Sequence, residues 1–360
     1  MRLPVLLAAI LLSAAATTRA DLITTDIVIY GGTSAGVTAA VQAAKLGKRV
    51  ALVEERQHFG GMSVEGLGAS DIDNHPEFRN RPAIGGLAAE FYLRVGKAYG
   101  KAGPQYRFEP HVAEAVFAQW LQEAGVALYP GQRLVGVQKD GAKLVKIWTA
   151  TGQEFAGKEF VDATYEGDLL AAAEVKTRIG REANAEYGET KNGIREKTTH
   201  AQFAVRVDPY WDPGNPASGV IPTIRDEELG TPGQGDRRLQ AYCFRLCFTK
   251  VPENRLPWVK PDDYNPLNYE IYRRYIQAGG KLWQPAAGLP NGKTDLGSWH
   301  DLSANLYGMN YEWPAGDADT RERVLREHLS FTQGLCWFMA NDPAVPEPLR
   351  NAWSQWGPKG

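Results

Sequence analysis

The chain has 360 residues, 43% of them hydrophobic, and a formal net charge of only −2. That length accommodates two domains of ordinary size with a substantial core. The balance excludes an intrinsically disordered chain and gives no basic surface for nucleic acid.

Met1-Arg2 and the apolar run LPVLLAAILLSAAA form a secretory leader, and Thr18-Arg19-Ala20 places small residues where a signal peptidase reads. Residues 1–20 are therefore expected to be cleaved after Ala20, leaving a periplasmic or secreted protein without a membrane segment. A retained anchor is the alternative, although the run is shorter than the ~20 residues of a membrane span.

Asp26 to Glu54 reads as strand, glycine turn, helix and strand. Ile27-Val28-Ile29-Tyr30 is an unbroken apolar run, as for a parallel strand covered on both faces. Gly31-Gly32-Thr33-Ser34-Ala35-Gly36 then opens an alanine-rich helix. Gly31 permits the sharp turn, Gly36 lets helix and strand approach, and free N–H groups at the helix start attract a pyrophosphate. Glu54 lies about 20 residues further on, where an acidic side chain meets a ribose hydroxyl. Thr33 stands in place of the middle glycine of G-x-G-x-x-G, and the Thr33 and Ser34 hydroxyls are expected to act as replacement donors. The alternative is a βαβ turn that binds nothing.

Residues 55–73 form a glycine-punctuated loop in which Gly60-Gly61-Met62 and Gly66-Leu67-Gly68 suggest backbone laid along a long ligand; a plain surface loop is the alternative. Helices are predicted from Ile84 to Tyr99 and from Pro110 onward, the second with Val112, Val116, Trp120 and Leu121 on one side. His111 either faces a cofactor or caps the helix at the surface. From Val126 the pattern becomes a β-meander, VALYP, RLVGVQKD and KLVKIWTAT, with turns at Asp140-Gly141 and Thr151-Gly152. DATYEGDL (162–169) follows a returning buried strand, expected beside the first one, with Ala163-Thr164 where a cofactor passes.

Beyond about Arg178 the chain is rich in proline loops and aromatics. The tryptophans and tyrosines suit either a sugar-stacking pocket wall or core packing. AYCFRLCFT (241–249) alternates like a strand, which would set Cys243 and Cys247 about 13 Å apart, too far for a disulfide. With Cys336 they read as buried, inert thiols, so redox chemistry requires a bound cofactor. Arg245, inside that apolar stretch, needs an anionic partner, either a substrate carboxylate or a structural ion pair. Asp319 to Ala340 is helical, with Val324, His328, Phe331, Leu335 and Phe338 near one face. No metal-ligand set is assigned.

Taken in order, Gly31 to Gly36, Glu54, FGGM (59–62), the meander and DATYEGDL resemble the FAD-dependent oxidoreductases of the glutathione-reductase-like fold, specifically a bacterial, often exported family with a GGTSAG turn. The resemblance implies an α/β protein: a Rossmann-like FAD-binding domain at 21–177 (parallel sheet plus meander), a mixed α+β substrate domain at 178–318, and a helical segment at 319–360 leading back toward the FAD domain. It implies FAD held by Gly31, Gly32, Thr33, Ser34, Ala35 and Gly36 at the pyrophosphate and by Glu54 at the ribose, with Glu55 and Arg56 flanking the adenosine. Gly60, Gly61 and Met62 would follow the ribityl chain, Val135 would meet the adenine edge through its backbone, and Ala163, Thr164 and Asp168 would border the AMP moiety. Arg245 and Trp313 are the substrate-side candidates. Relative to this family the C-terminal flavin segment is expected to be missing, as in a fragment. The implied activity is hydride transfer from a small organic substrate, a carbohydrate among the candidates, to flavin, with an unassigned catalytic base and electron acceptor. The alternatives are an exported, non-catalytic carbohydrate- or ligand-binding protein and an NAD(P)-dependent dehydrogenase.

Overall fold

The computed structural model describes residues 22–72, 81–198, 201–298 and 301–359, so the expected leader lies outside the described residues. The N-terminal lobe contains β1 (Leu22–Thr24), β2 (Ile27–Tyr30), α1 (Ser34–Lys45), β3 (Val50–Val53), α2 (Gly86–Ala98) and α3 (Pro110–Ala124). It continues with β4 (Ala127–Tyr129), β5 (Leu134–Asp140), β6 (Lys143–Thr149), β7 (Glu154–Ala156), β8 (Glu159–Asp162) and α4 (Asp168–Ala172).

Two four-stranded sheets result, one fully parallel in the order β4-β3-β2-β8, the other in the order β1-β7-β6-β5. Alternation along β2 and β3 decides how three layers form. Ile29, Val50 and Leu52 pack on one face with Val37 and Val41 of α1 and Val116, Phe117, Trp120 and Leu121 of α3. Val28, Tyr30, Ala51 and Val53 point the other way, toward Ile147 and Phe155 of the meander and Leu169. Both faces are thus apolar because both are covered, helices on one side and the meander on the other.

The structure corrects the strand reading in three places. The stretch at 126–130 does not begin the meander; β4 pairs in parallel with β3, as a strand that follows a crossover helix does. The third meander strand is β7, which pairs with the unexpected N-terminal β1. The returning β8 does lie beside β2, but it is an edge strand of its sheet with partly covered side chains rather than a buried one.

The C-terminal lobe holds a single turn α5 (Asn184–Tyr187), then β9 (Phe248–Thr249), α6 (Glu270–Gln277), α7 (Ala318–Asn341), α8 (Glu347–Ser354) and β10 (Gly357–Pro358). Asp317 caps α7, its carboxylate accepting the Thr320 N–H at 2.9 Å, and Val324, His328, Phe331, Leu335 and Phe338 are all buried. The aromatics build the core. Tyr269, Tyr272, Phe331 and Phe338 form one cluster, and Tyr269 and Tyr272 satisfy their hydroxyls on the carbonyls of Phe331 (3.0 Å) and Ser303 (2.6 Å). Trp258, Trp283 and Trp353 form a second. The predicted strand at 241–249 is reduced to Phe248–Thr249, paired with β10, and to isolated bridges from Tyr242 to Leu306 and Leu246 to Leu296. Its partners are irregular, proline- and glycine-containing segments, so the alternating pattern has no regular ladder to join.

Candidate cofactor site

Three segments converge at the C-terminal ends of β2, β3 and β8. Gly31 N–H donates to Val53 O (2.9 Å) and Ala163 N–H donates to Tyr30 O (2.8 Å), so the turn continues the sheet on both sides. Gly31 has φ +108°, and a Cβ there would lie 2.5 Å from the Ala163 carbonyl carbon; only glycine fits. A Cβ on Gly36 would lie 1.9 Å from Gly31 O, which fixes the close approach of helix and strand. Gly60 N–H donates to Gly32 O (2.6 Å), and Thr33 bridges Gly60 in parallel, so the FGGM loop is pinned onto the first turn.

Thr33 corrects one expectation. Its hydroxyl donates to Ala163 O (2.7 Å) and accepts the Gly36 N–H (3.2 Å) as the cap of α1, and the residue is buried. The hydroxyl is a brace between two turns, and its proton is already given to Ala163 O. The N–H groups of Ser34 and Ala35, ahead of the first intrahelical hydrogen bond, remain the donors of the helix start; Ser34 is half-buried and Ala35 exposed.

Glu54 lies at the end of β3. Its carboxylate accepts the Gly32 N–H and, at 2.8 Å, the Arg56 N–H. Glu55 and Arg56 are exposed, and the Arg56 guanidinium pairs with Glu65 at 3.3 Å. Partial desolvation, then the charge of Asp168, push the Glu55 carboxyl up. Val135 is the extra residue of a β-bulge: Leu134 faces Thr149 and Gly136 faces Trp148, leaving Val135 outside the β5–β6 register and 56% exposed.

The DATYEGDL turn is held from within. Asp162 accepts the Thr164 N–H (2.9 Å), the Thr164 hydroxyl (2.7 Å) and the Leu170 N–H (2.8 Å). The Thr164 hydroxyl in turn accepts the N–H groups of Gly167 (3.0 Å) and Asp168 (2.9 Å). Asp168 accepts from the Arg321 guanidinium at 2.6 Å, so its carboxylate faces α7. Sequence reasoning did not assign Asp162; the D-x-T spacing at a strand end was its available signal. Tyr165, whose hydroxyl accepts the Met62 N–H at 2.8 Å, was likewise missed, with no local signal to find it.

The two substrate-side candidates are both engaged within the protein, Arg245 inside the C-terminal lobe and Trp313 across to the N-terminal one. Arg245 donates to Asp295 (Nε at 3.0 Å), while the other oxygen of Asp295 accepts the Ala69 N–H at 2.8 Å. The Asp295 side chain is only 2% exposed, so the structural ion pair is the observed arrangement. Trp313 donates its indole N–H to Glu166 (2.8 Å), packs edge-on with Tyr242, and its carbonyl accepts from Arg321 (3.0 Å). Burial raises the thiols of Cys243 and Cys247 even though both keep some exposure, and pushes Cys336 up to about 12. His111 is exposed on α3. Cavities of about 450 and 710 Å³ lie in the C-terminal lobe, and neither is lined by a residue of the three converging segments.

The cradle fits a dinucleotide: five glycines (Gly31, Gly32, Gly36, Gly60 and Gly61) where a Cβ meets backbone or side chain, a helix start, and a fixed carboxylate at the end of the second strand. The FAD dependent oxidoreductase family model matches residues 26–358. A search of curated proteins found no match. Among solved structures, L-proline dehydrogenase from P. horikoshii shares 19% identity over 45% of this chain and 59% of its own, with a TM-score of 0.35. A flavin-dependent brominase shares 18% over 44% of this chain and 42% of its own (TM-score 0.33). The L-amino acid deaminase from Proteus vulgaris shares 14% over 45% and 52% (TM-score 0.30). The chain therefore spans less than two thirds of each of these proteins, and such distant likenesses carry no argument about substrate. The match along nearly the whole sequence, together with the Rossmann-like α/β lobe, places the chain in the FAD-dependent oxidoreductase family, whose cofactor is FAD.

Proposed function

We propose that the three converging segments hold FAD and that the enzyme oxidises a small organic substrate by hydride transfer to it, a separate acceptor then taking the electrons. The observation that supports this most is the backbone contact of the turn at 31–36 with both the FGGM loop and Ala163, which leaves no room for side chains at Gly31, Gly60 or Gly61. The flavin, when bound, supplies the redox chemistry; this chain supplies grip and orientation. In this reading the Ser34 and Ala35 N–H groups and the dipole of α1 face the pyrophosphate. Glu54, already oriented by two backbone donors, keeps other lone pairs for ribose hydroxyls. The displaced backbone of Val135 reads the adenine edge. Gly60, Gly61 and Met62 border the ribityl side. Thr33, Thr164 and Asp168 act as framework rather than as contacts, since their side chains are engaged within the protein.

Arg245 and Trp313 are assigned to contacts within the protein, not to substrate. A carbohydrate substrate draws less support than the sequence suggests, because about half of the aromatics of the C-terminal lobe are packed in its core. Export through the N-terminal leader belongs to the same proposal and rests on the sequence.

Titration of apoprotein with FAD, followed by quenching of flavin fluorescence, tests the grip. E54Q keeps size but removes the charge on which the ribose hydroxyls would bond. Hydrogen bonds to charged groups contribute about 1.5 kcal/mol or more, so the Kd should rise roughly tenfold. An E54Q protein that binds FAD as tightly as wild type would refute the assignment of this carboxylate.

A further inference from the structure

Tyr165 sits in the third motif, yet its hydroxyl reaches across to the second: the Oη atom accepts the Met62 N–H at 2.8 Å. A Cβ on Gly61 would lie 2.2 Å from that same oxygen and 3.1 Å from Thr33 Cα, and Gly61 has φ +57°. Gly61 is thus wedged between the first turn and the tyrosine. The ring is 55% exposed, although a tyrosine with only a structural role would bury more of its apolar body. Partial burial foremost pushes the phenol up from its ordinary value; the Met62 N–H pulls the other way, and the charges of Glu65, Glu54 and Glu166 add to the rise. A phenol oxygen that accepts one bond retains its own proton to give. The hydroxyl lies on the N-terminal side of the short 3₁₀ turn Gly61–Ser63, beside the segment that runs along the ligand in the proposed site.

We propose that Tyr165 is a further cofactor-site residue: it fixes the Gly61–Met62 peptide by accepting its N–H and offers its own hydroxyl proton to an oxygen of bound FAD. The inference rests on the FAD cradle described above. Its two halves separate experimentally because the first exists without ligand.

Y165F removes only the oxygen. In the apoprotein, hydrogen exchange at the Met62 amide should accelerate about tenfold while the melting temperature stays near the wild-type value. With FAD, the Kd should rise roughly five- to tenfold, the usual weight of one or two neutral hydrogen bonds. A second variant tests the wedge. G61A places a methyl group against the hydroxyl and should lose FAD affinity, and G61A/Y165F should recover part of that loss because the clashing atom is gone. Unchanged Met62 exchange in Y165F, or G61A and Y165F effects that simply multiply, would overturn the positioning role. Faster Met62 exchange with an unchanged FAD Kd would overturn the contact to FAD. A wild-type apoprotein that takes up no FAD would instead sink the cradle itself, leaving the Met62 exchange result standing as a separate fact.

Discussion

Lys293→Met is the sharpest test of how the two lobes are joined. Glu109 stands at the N-cap position of α3, its side chain only 3% exposed, and Lys293 reaches that carboxylate from the C-terminal lobe with a side chain 12% exposed. The carboxylate also accepts from Tyr99 Oη (3.0 Å) and Asn291 Nδ2 (2.8 Å). Burial alone would raise the Glu109 carboxyl, but Lys293, Tyr99 and Asn291 outweigh it and hold the group below its ordinary value. Removing one partner of a buried pair leaves an uncompensated charge, at about 3–5 kcal/mol. With an unfolding entropy of roughly 2.1 cal/mol/K per residue over 360 residues, about 4 kcal/mol lowers the melting temperature by about 5 °C. The sign with pH follows from the depressed carboxyl. Its contribution is complete above the unfolded carboxyl value and is lost as pH falls through the folded one. In K293M the carboxyl rises instead and takes up a proton readily, so the stability gap between wild type and variant should narrow from pH 7 toward pH 4. K293M/E109Q should regain at least half of the loss, because a neutral carboxamide still accepts from Tyr99 and Asn291. Thermal and urea unfolding followed by circular dichroism read all three proteins. A K293M protein within 1 kcal/mol of wild type at pH 7, or a gap that E109Q leaves unchanged, would refute the reasoning.

Three further outcomes are expected. G31A should fail to accumulate as flavin-loaded protein, because its methyl group would meet backbone of Ala163 and Thr164 at φ +108°; G47A, at φ +75° with open space around it, should lose only about 1 kcal/mol, and the ratio of flavin to protein absorbance separates the two. T33V removes the cap of α1 and the bond to Ala163 and should cost about 1–2 kcal/mol, whereas T33S should keep most of the stability; chemical unfolding curves decide. Because burial raises both thiols, Cys243 and Cys247 should alkylate slowly with iodoacetamide at pH 7.5 in the folded protein and quickly in urea, as intact mass will show; rapid labelling of native protein would contradict it.

What the sequence settled about this protein was local. Ile27 to Glu54 declared a strand, turn, helix and strand because apolar runs, glycine punctuation and helix composition act within a few residues, and the same holds for α3, α7 and the hairpin at Asp140-Gly141. Those patterns also carried the family and FAD. The tertiary structure decided who meets whom. Thr33 looked like a phosphate donor until its hydroxyl was seen on Ala163, 130 residues away. Arg245 asked only for an anion, substrate or protein, and the fold supplied Asp295, 50 residues on. Trp313 found Glu166 across 147 residues and Tyr165 found Met62 across 103. A polar side chain announces that it needs a partner, but the choice among substrate, cofactor and distant residue is made by packing, where burial makes an unpaired group costly. That is why the glycine cradle could be read from the letters, and the braces that hold it could not.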